Sequence, residues 1–229
     1  MSSMKFITGK RISIKAICVL LFPVVLTASE PPVDESWLDD DSEWRAQQVN
    51  EGQLEFIAPM HDQLILHSDT HLWITNESLQ TGWVKMKQCY RHLDAVGGTD
   101  VVYGYRKMKN LQVARVEQIE QIRVGQHGVE LEGVEKGAVL CVQADVKVLQ
   151  HLSDKTYAMQ HGPYHRKFLD GYYPYHVSLT VHYSNNEMQL KRVEPEAQDG
   201  FYITEKTGLL SIDSWFEGEL RIGFEFSKK

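Results

Sequence analysis

The sequence predicts an all-β protein of two packed β-sandwich-like units that follow a cleaved signal peptide. Two observations carry the fold class. Period-two alternation recurs, most clearly where Val177, Leu179, Val181 and Tyr183 alternate with Ser178, Thr180 and His182, and where Leu220, Ile222, Phe224 and Phe226 alternate with Arg221, Gly223 and Glu225. Glycines then punctuate these runs, at Gly97-Gly98, Gly125, Gly128, Gly133, Gly137, Gly200 and Gly208, as turns between short strands require. A third observation places a leader in front. Lys5, Lys10, Arg11 and Lys15 precede the 13-residue apolar run Ala16 to Ala28. That run falls short of the roughly 20 residues a spanning helix needs, and Pro23 interrupts it.

Residues 1–29 therefore read as a secretory signal peptide, cleaved after Ala28 or, in better agreement with a small-x-small rule, after Ser29. The expected destination is outside the cytoplasm, periplasmic or secreted, with no stable membrane span after cleavage. Loss of four basic residues leaves 20 basic against 31 acidic ones, a net charge of −11. Such a chain repels phosphate backbones, which excludes nucleic-acid binding driven by counterion release.

Residues 30–48 form an acidic arm. Glu30 to Glu43 holds seven acids and no base, with Trp37 and, just beyond it, Trp44 as the apolar anchors available for docking. The arm reads as disordered, a solvated leader before the first unit, with a docking peptide as the alternative.

The first sandwich-like unit spans residues 49–150. Its expected strands are Leu54 to Ile57, Leu64 to His67, His71 to Thr75, Trp83 to His92, Val101 to Lys107, Ile122 to Val124, Val129 to Leu131 and Val139 to Val148. Leu111, Val113, Val116, Ile119 and Ile122 keep a spacing of three that suits strand or mixed structure. Gly125-Gln126-His127-Gly128 reads as a turn.

Cys18 leaves with the leader, so Cys89 and Cys141 remain as an even pair in an exported chain, and a disulfide between them is expected. Both lie in alternating runs, WVKMKQCY and AVLCVQADVKV, with several strands between them. The arrangement resembles the inter-sheet bridge of immunoglobulin-like sandwiches, with Tyr103 in place of that fold's core tryptophan. The resemblance implies that the two cysteines sit on facing sheets. It departs from the pattern at Val139, where a tyrosine corner would place its tyrosine, and it implies no function.

Residues 151–173 read as a His- and Tyr-rich connection, with Pro163 opening a single helical turn closed by Gly171. Residues 174–229 then form a second, smaller unit with strands at Val177 to Tyr183, Gln189 to Val193, Phe201 to Thr204, Leu209 to Asp213 and Leu220 to Phe226. At 56 residues it needs the first unit to complete its core.

The chemistry concentrates between His161 and His182. Tyr164, Tyr172, Tyr173 and Tyr175 make a candidate binding surface for sugar rings or a peptide, because tyrosine offers an apolar face and a polar tip. His161, His165 and His176 are the candidate ligands of a copper or zinc ion, provided the chain folds back on itself. His176 and His182 share a strand face but stand about 20 Å apart, too far for one ion. The plainest alternative has these rings filling a junction between the two units. No G-x-S-x-G, H-E-x-x-H, Walker A or G-x-G-x-x-G motif is present. Asp213 and Glu217 are about 13 Å apart along a strand, beyond the reach of glycosidic chemistry. The function expected is a non-enzymatic binding or accessory protein with a protein or carbohydrate partner and no obligatory cofactor. A His-based metal protein is one alternative, and a hydrolase with a dispersed site is another.

Overall fold

The computed structural model describes residues 50–229. The expected signal peptide and acidic arm, with Trp37 and Trp44, lie outside the described residues. Fifteen strands and one short helix follow in order. They are β1 (Glu55–Phe56), β2 (His67–Trp73), α1 (Asn76–Thr81), β3 (Trp83–Arg91), β4 (Val96–Val102), β5 (Met108–Val124), β6 (Gly128–Lys147), β7 (Leu149–Ser153) and β8 (Thr156–Tyr164). After them come β9 (Lys167–Phe168), β10 (Gly171–Tyr172), β11 (Tyr175–His182), β12 (Met188–Glu194), β13 (Phe201–Lys206), β14 (Leu209–Glu217) and β15 (Leu220–Lys228). The all-β expectation holds, and no described helix is long and apolar enough to cross a membrane.

A nine-stranded sheet runs in the order β1-β14-β11-β2-β3-β6-β4, with β13 also pairing β14 and β5 also pairing β6. A four-stranded sheet runs β12-β15-β8-β7. Alternation explains how the two meet. In β11, Tyr175, Val177, Leu179 and Val181 are buried while His176, Ser178, Thr180 and His182 are half-buried on the opposite face. In β15, Leu220, Ile222, Phe224 and Phe226 are buried in the same way. These inner faces belong to one continuous hydrophobic cluster, with Tyr183 against Phe226 at 5.3 Å between ring centroids. Each fully buried aliphatic or aromatic side chain in it contributes about 1.5–3 kcal/mol from removal of apolar surface from water.

The expected boundary between a unit ending at residue 150 and another beginning at 174 does not coincide with the sheets. β11 lies between β14, its antiparallel neighbour, and β2, with which it pairs in parallel from His176↔His67 to His182↔Trp73. Strands from both ends of the chain thus share the larger sheet, and β7 and β8 share the smaller one with β12 and β15. Most of β7 and all of β8 fall in residues 151–164, read from sequence as connection. The helical turn expected from Pro163 to Gly171 is not formed. Tyr164 pairs with Leu220 of β15, the Gly162–Pro163 peptide is cis, and β9 and β10 make a small hairpin. Burial of Tyr157, Met159 and His161 at alternate positions of β8 accounts for the strand. A polar histidine in the third of those positions hid the period.

The cysteines are bonded, as expected, but within one sheet. Cys89 of β3 and Cys141 of β6 are register partners with α-carbons 4.0 Å apart. The inter-sheet placement implied by the immunoglobulin resemblance is therefore corrected. Alternation says which face a cysteine occupies, whereas the identity of the neighbouring strand is a long-range outcome.

Two glycines are required by the backbone. Gly82 closes α1 in the left-handed region at φ 77°, its N–H donating to Ser78 O, and a Cβ there would lie 2.7 Å from Leu149 O. Gly133, at φ 63°, sits inside β6 between Glu132 and Val134, which pair with Gly98 and Val96 of β4, and a Cβ there would lie 2.5 Å from the Glu120 side chain. At the other end of α1, Thr75 and Ser78 form a reciprocal capping box. A six-residue helix leaves no periodic signal in a sequence, which is why α1 was not expected.

The ring closed by the disulfide spans 52 residues of separation. Loss of both cysteines by Cys89→Ala and Cys141→Ala is expected to lower unfolding free energy by about 4 kcal/mol, the chain-entropy value for such a loop, measured by urea denaturation. Phe226→Ala, at a fully buried position facing the larger sheet, is expected to cost about 3–5 kcal/mol in the same assay.

Candidate functional site

At one end of the interface the sheets part around a cavity of about 370 Å³, within the range of small-molecule sites. Gln88 and Tyr90 reach it from β3, Tyr103 and Tyr105 from the segment after β4, His161 and Tyr164 from β8, and Tyr175 from the start of β11. Strand alternation puts these side chains inward. Tyr103 and Tyr105, two residues apart, stack with their rings 6.2 Å apart and 11° from parallel. The hydroxyls form short chains: Tyr90 donates to Tyr103 at 3.4 Å, and Tyr164 donates to Thr70 at 3.4 Å. Tyr105 Oη lies 2.7 Å from His161 Nε2 and thereby joins the larger sheet's strand connection to the smaller sheet.

The tyrosines, Gln88 and His161 give the cavity an uncharged inner lining, while Asp94, Asp100, Arg166 and Lys167 also line it. Burial holds the phenols of Tyr90, Tyr103, Tyr105, Tyr164 and Tyr175 above the ordinary tyrosine value, since a phenolate would lose its hydration. Burial also pushes His161 down to about 3, so its imidazole stays uncharged near neutral pH. At the mouth, Arg166 donates through Nε to Asp94 Oδ2 at 2.9 Å and through Nη2 to Asp94 Oδ1, and through Nη1 to Pro174 O at 3.3 Å. Phe168 and Tyr173 flank the guanidinium. This bidentate pair cancels its own charge and ties the β9–β10 hairpin to the segment between β3 and β4.

The residues expected from sequence divide between places. Tyr164 and Tyr175 line the cavity and are buried. Tyr172 and Tyr173 are each half-buried outside it: Tyr172 packs on Gly52 and edge-on to His165, while Tyr173 donates to Asp170 at 2.6 Å. The structure does not gather His161, His165 and His176 around one point. His161 is interior, His165 is exposed at the cavity mouth, and His176 lies on the outer face of the larger sheet. Among the described residues no three His, Cys, Asp or Glu side chains converge as ligands of one ion. Sequence reasoning missed Gln88, Tyr90 and Tyr105, and it gave Tyr103 only a core role. The Tyr-x-Tyr spacing of Tyr103 and Tyr105 was the available signal.

The outer face of the same sheet bears a polar network. His176 stacks between His67 and Trp215, at 4.0 and 3.9 Å between centroids. Its Nε2 donates to Asp213 Oδ1 at 2.7 Å, and Ser178 Oγ donates to the same oxygen at 2.9 Å. Burial opposes ionisation of Asp213, yet these donors hold its carboxyl below the ordinary value. His67 Nε2 lies 2.9 Å from Ser178 Oγ, and burial followed by the neighbouring His176 lowers His67 to about 4. The grouping contains serine, histidine and aspartate but not in a nucleophile's order. The serine proton points at the carboxylate, whereas activation needs the carboxylate on the far nitrogen of the base.

Comparison with known proteins adds little. No protein-family model matches the chain, and no curated protein matches it. Among solved structures, a two-domain M1 zinc metallopeptidase bound to L-tryptophan aligns at 12% identity and a TM-score of 0.36, covering 77% of this chain and 44% of that one. An M1 zinc metallopeptidase from Deinococcus radiodurans aligns at 13% identity and a TM-score of 0.34, with 77% and 43% covered. The chain spans less than half the length of these structures. Similarity at this level bears on neither activity nor site.

His161 makes the fold acid-sensitive. Its value is about 3 in the folded chain against 6.5 for an ordinary histidine, so the unfolded chain binds the extra proton between those values and stability falls as pH drops below about 6.5. The expected slope from this group approaches about 1.4 kcal/mol per pH unit between pH 6 and 4, with His67 acting in the same direction. Urea denaturation across that range should show a shallower slope for His161→Gln than for the unsubstituted protein. Tyr105→Phe, which strips the partner from a buried ring nitrogen, is expected to cost about 1–3 kcal/mol at pH 7.

Proposed function

We propose that this chain is an exported, periplasmic binding protein without catalytic activity, and that it takes a small uncharged ligand into the cavity between its sheets. The observation that carries the reading is the cavity's lining, in which five tyrosines, Gln88 and a neutral His161 enclose about 370 Å³ beside a self-neutralised Arg166–Asp94 pair. Tyrosine faces suit a planar aromatic ring or the apolar face of a sugar, and the hydroxyls supply orienting hydrogen bonds. Against the tyrosine-lined part a charged ligand would lose its hydration with only uncharged groups to replace it, the charged lining residues Asp94, Asp100, Arg166 and Lys167 lying outside that set. Export is supported by the basic-then-apolar start of the sequence and by the disulfide, which persists in oxidising compartments.

The test is a thermal-shift and tyrosine-fluorescence screen with phenol, indole and glucose as neutral probes and benzoate as a charged one. A neutral probe at 100 times its Kd is expected to stabilise the fold by about 2.7 kcal/mol, and Tyr103→Phe or Gln88→Leu should reduce its affinity while the fold is retained. Absence of any shift with all neutral probes, or stronger binding of benzoate, would count against the reading. Osmotic-shock fractionation of the source cell tests the compartment, where recovery with the cytoplasmic fraction would oppose it.

A further inference from the structure

The outer face of the larger sheet holds a second histidine pair, remote in chemistry from the cavity and independent of the ligand reading above. His71 of β2 and His182 of β11 project from neighbouring parallel strands, and His71 Nδ1 lies 3.2 Å from His182 Nε2. Asp69 Oδ1 stands 3.5 Å from the other nitrogen of His71, and Arg91 holds the second oxygen of that carboxylate at 3.5 Å. Asp69 therefore favours the proton on His71 Nε2 and leaves Nδ1 as a bare lone pair directed at His182. Trp73 lies against His182 with ring planes 8° apart and centroids at 5.1 Å, which limits the rotation of that imidazole.

We propose that His71 Nδ1 and His182 Nε2 chelate one late first-row divalent cation, with Cu²⁺ bound more tightly than Zn²⁺. Metal–nitrogen bonds of about 2.0–2.1 Å place two ligating nitrogens about 2.9 Å apart at a right angle and about 3.3 Å apart at a tetrahedral one. The observed 3.2 Å lies between these values. In the metal-free pair, one proton on His182 Nε2 bridges the two nitrogens. On binding, that hydrogen bond breaks, His182 moves its proton to Nδ1 through solvent, and two nitrogen–metal bonds form. No oxidation or net proton loss is needed. His71 keeps its Nε2 proton toward Asp69, an outer carboxylate of the kind that fixes ring orientation and raises ligand basicity. Imidazole ligands select Cu²⁺ and Zn²⁺ over Ca²⁺ and Mg²⁺, which require oxygen. With no third protein ligand converging among the described residues, water completes the coordination.

The experiment uses the exported chain, purified without a polyhistidine tag and stripped with a chelator. Zn²⁺ binding is measured by titration calorimetry, and Cu²⁺ binding by tryptophan quenching and by electron paramagnetic resonance. One ion per chain is expected, with two imidazole nitrogens in the Cu²⁺ spectrum and emission quenched through Trp73. His71→Gln and His182→Gln should each weaken affinity at least tenfold. Asp69→Asn, acting through His71, should weaken it by about tenfold and leave both nitrogens in the spectrum. His165→Gln should bind as the unsubstituted chain does. Circular dichroism and melting temperature identify variants that fold, and either glutamine variant alone suffices for the comparison. Failure of the unsubstituted chain to bind either ion, or retention of full affinity when either histidine is replaced, would overturn the proposal. Neutral-probe binding in the cavity is expected to persist in both variants, so failure of one site does not decide the other.

Discussion

The parallel pairing of Tyr175–His182 with His67–Trp73 is the constraint on which both candidate sites depend. It joins strands about 110 positions apart in sequence, and because side chains alternate across a strand, it sets the faces of both at once. Tyr175 and the aliphatic residues of β11 turn to the core beside Ser68, Thr70 and Leu72 of β2. His176, Ser178 and His182 turn outward beside His67, Asp69 and His71. A slip of β11 by one residue would turn that strand over, placing His176 and His182 in the core and Val177 and Val181 in water. The full burial of Val177, Leu179 and Val181 makes that slip costly.

The interior polar groups at the cavity end are arranged so that none need ionise. Tyrosine hydroxyls bond to one another, to Thr70 and to His161, and the single buried imidazole is held far below its ordinary titration range. Of the charged residues in the lining, Arg166 and Asp94 pair with each other. Stability and the proposed binding chemistry rest on the same groups. The phenols fill space between sheets as a core would, while their hydroxyls and rings present a surface suited to an uncharged guest. The cost is acid sensitivity, since a buried neutral histidine is stable only where the unfolded chain does not attract a proton.

On the outer face the same backbone produces a different chemistry. Half-exposed imidazoles stack on one another and on Trp215 and Trp73, and carboxylates from adjacent positions orient them. Asp213 accepts from both His176 and Ser178, which occupies the serine's proton. Asp69 lies 3.5 Å from the far nitrogen of His71, whose near nitrogen meets His182 Nε2 at 3.2 Å. Two Asp–His contacts on one sheet therefore differ: Asp213 meets the nitrogen of His176 that it accepts from, whereas Asp69 meets the nitrogen of His71 turned away from His182. The difference lies in which nitrogen meets the carboxylate.

Residue order alone determined the local features. Alternation in Val177 to Tyr183 and Leu220 to Phe226 fixed strand type and inward face, Gly125 to Gly128 marked a hairpin, and two cysteines in alternating runs implied a disulfide. Tyr164 and Tyr175, which line the cavity, stood out in the sequence because tyrosines cluster there. Tertiary structure alone decided which strands are neighbours: that Cys89 and Cys141 share a sheet, that β8 continues through His161 to Tyr164, and that His71 meets His182. It also assembled the cavity, whose tyrosines come from four separate stretches of chain. The reason is physical: side-chain period is a property of a few consecutive residues, whereas strand pairing is chosen by burial summed over the whole core, and no short window of sequence contains that sum.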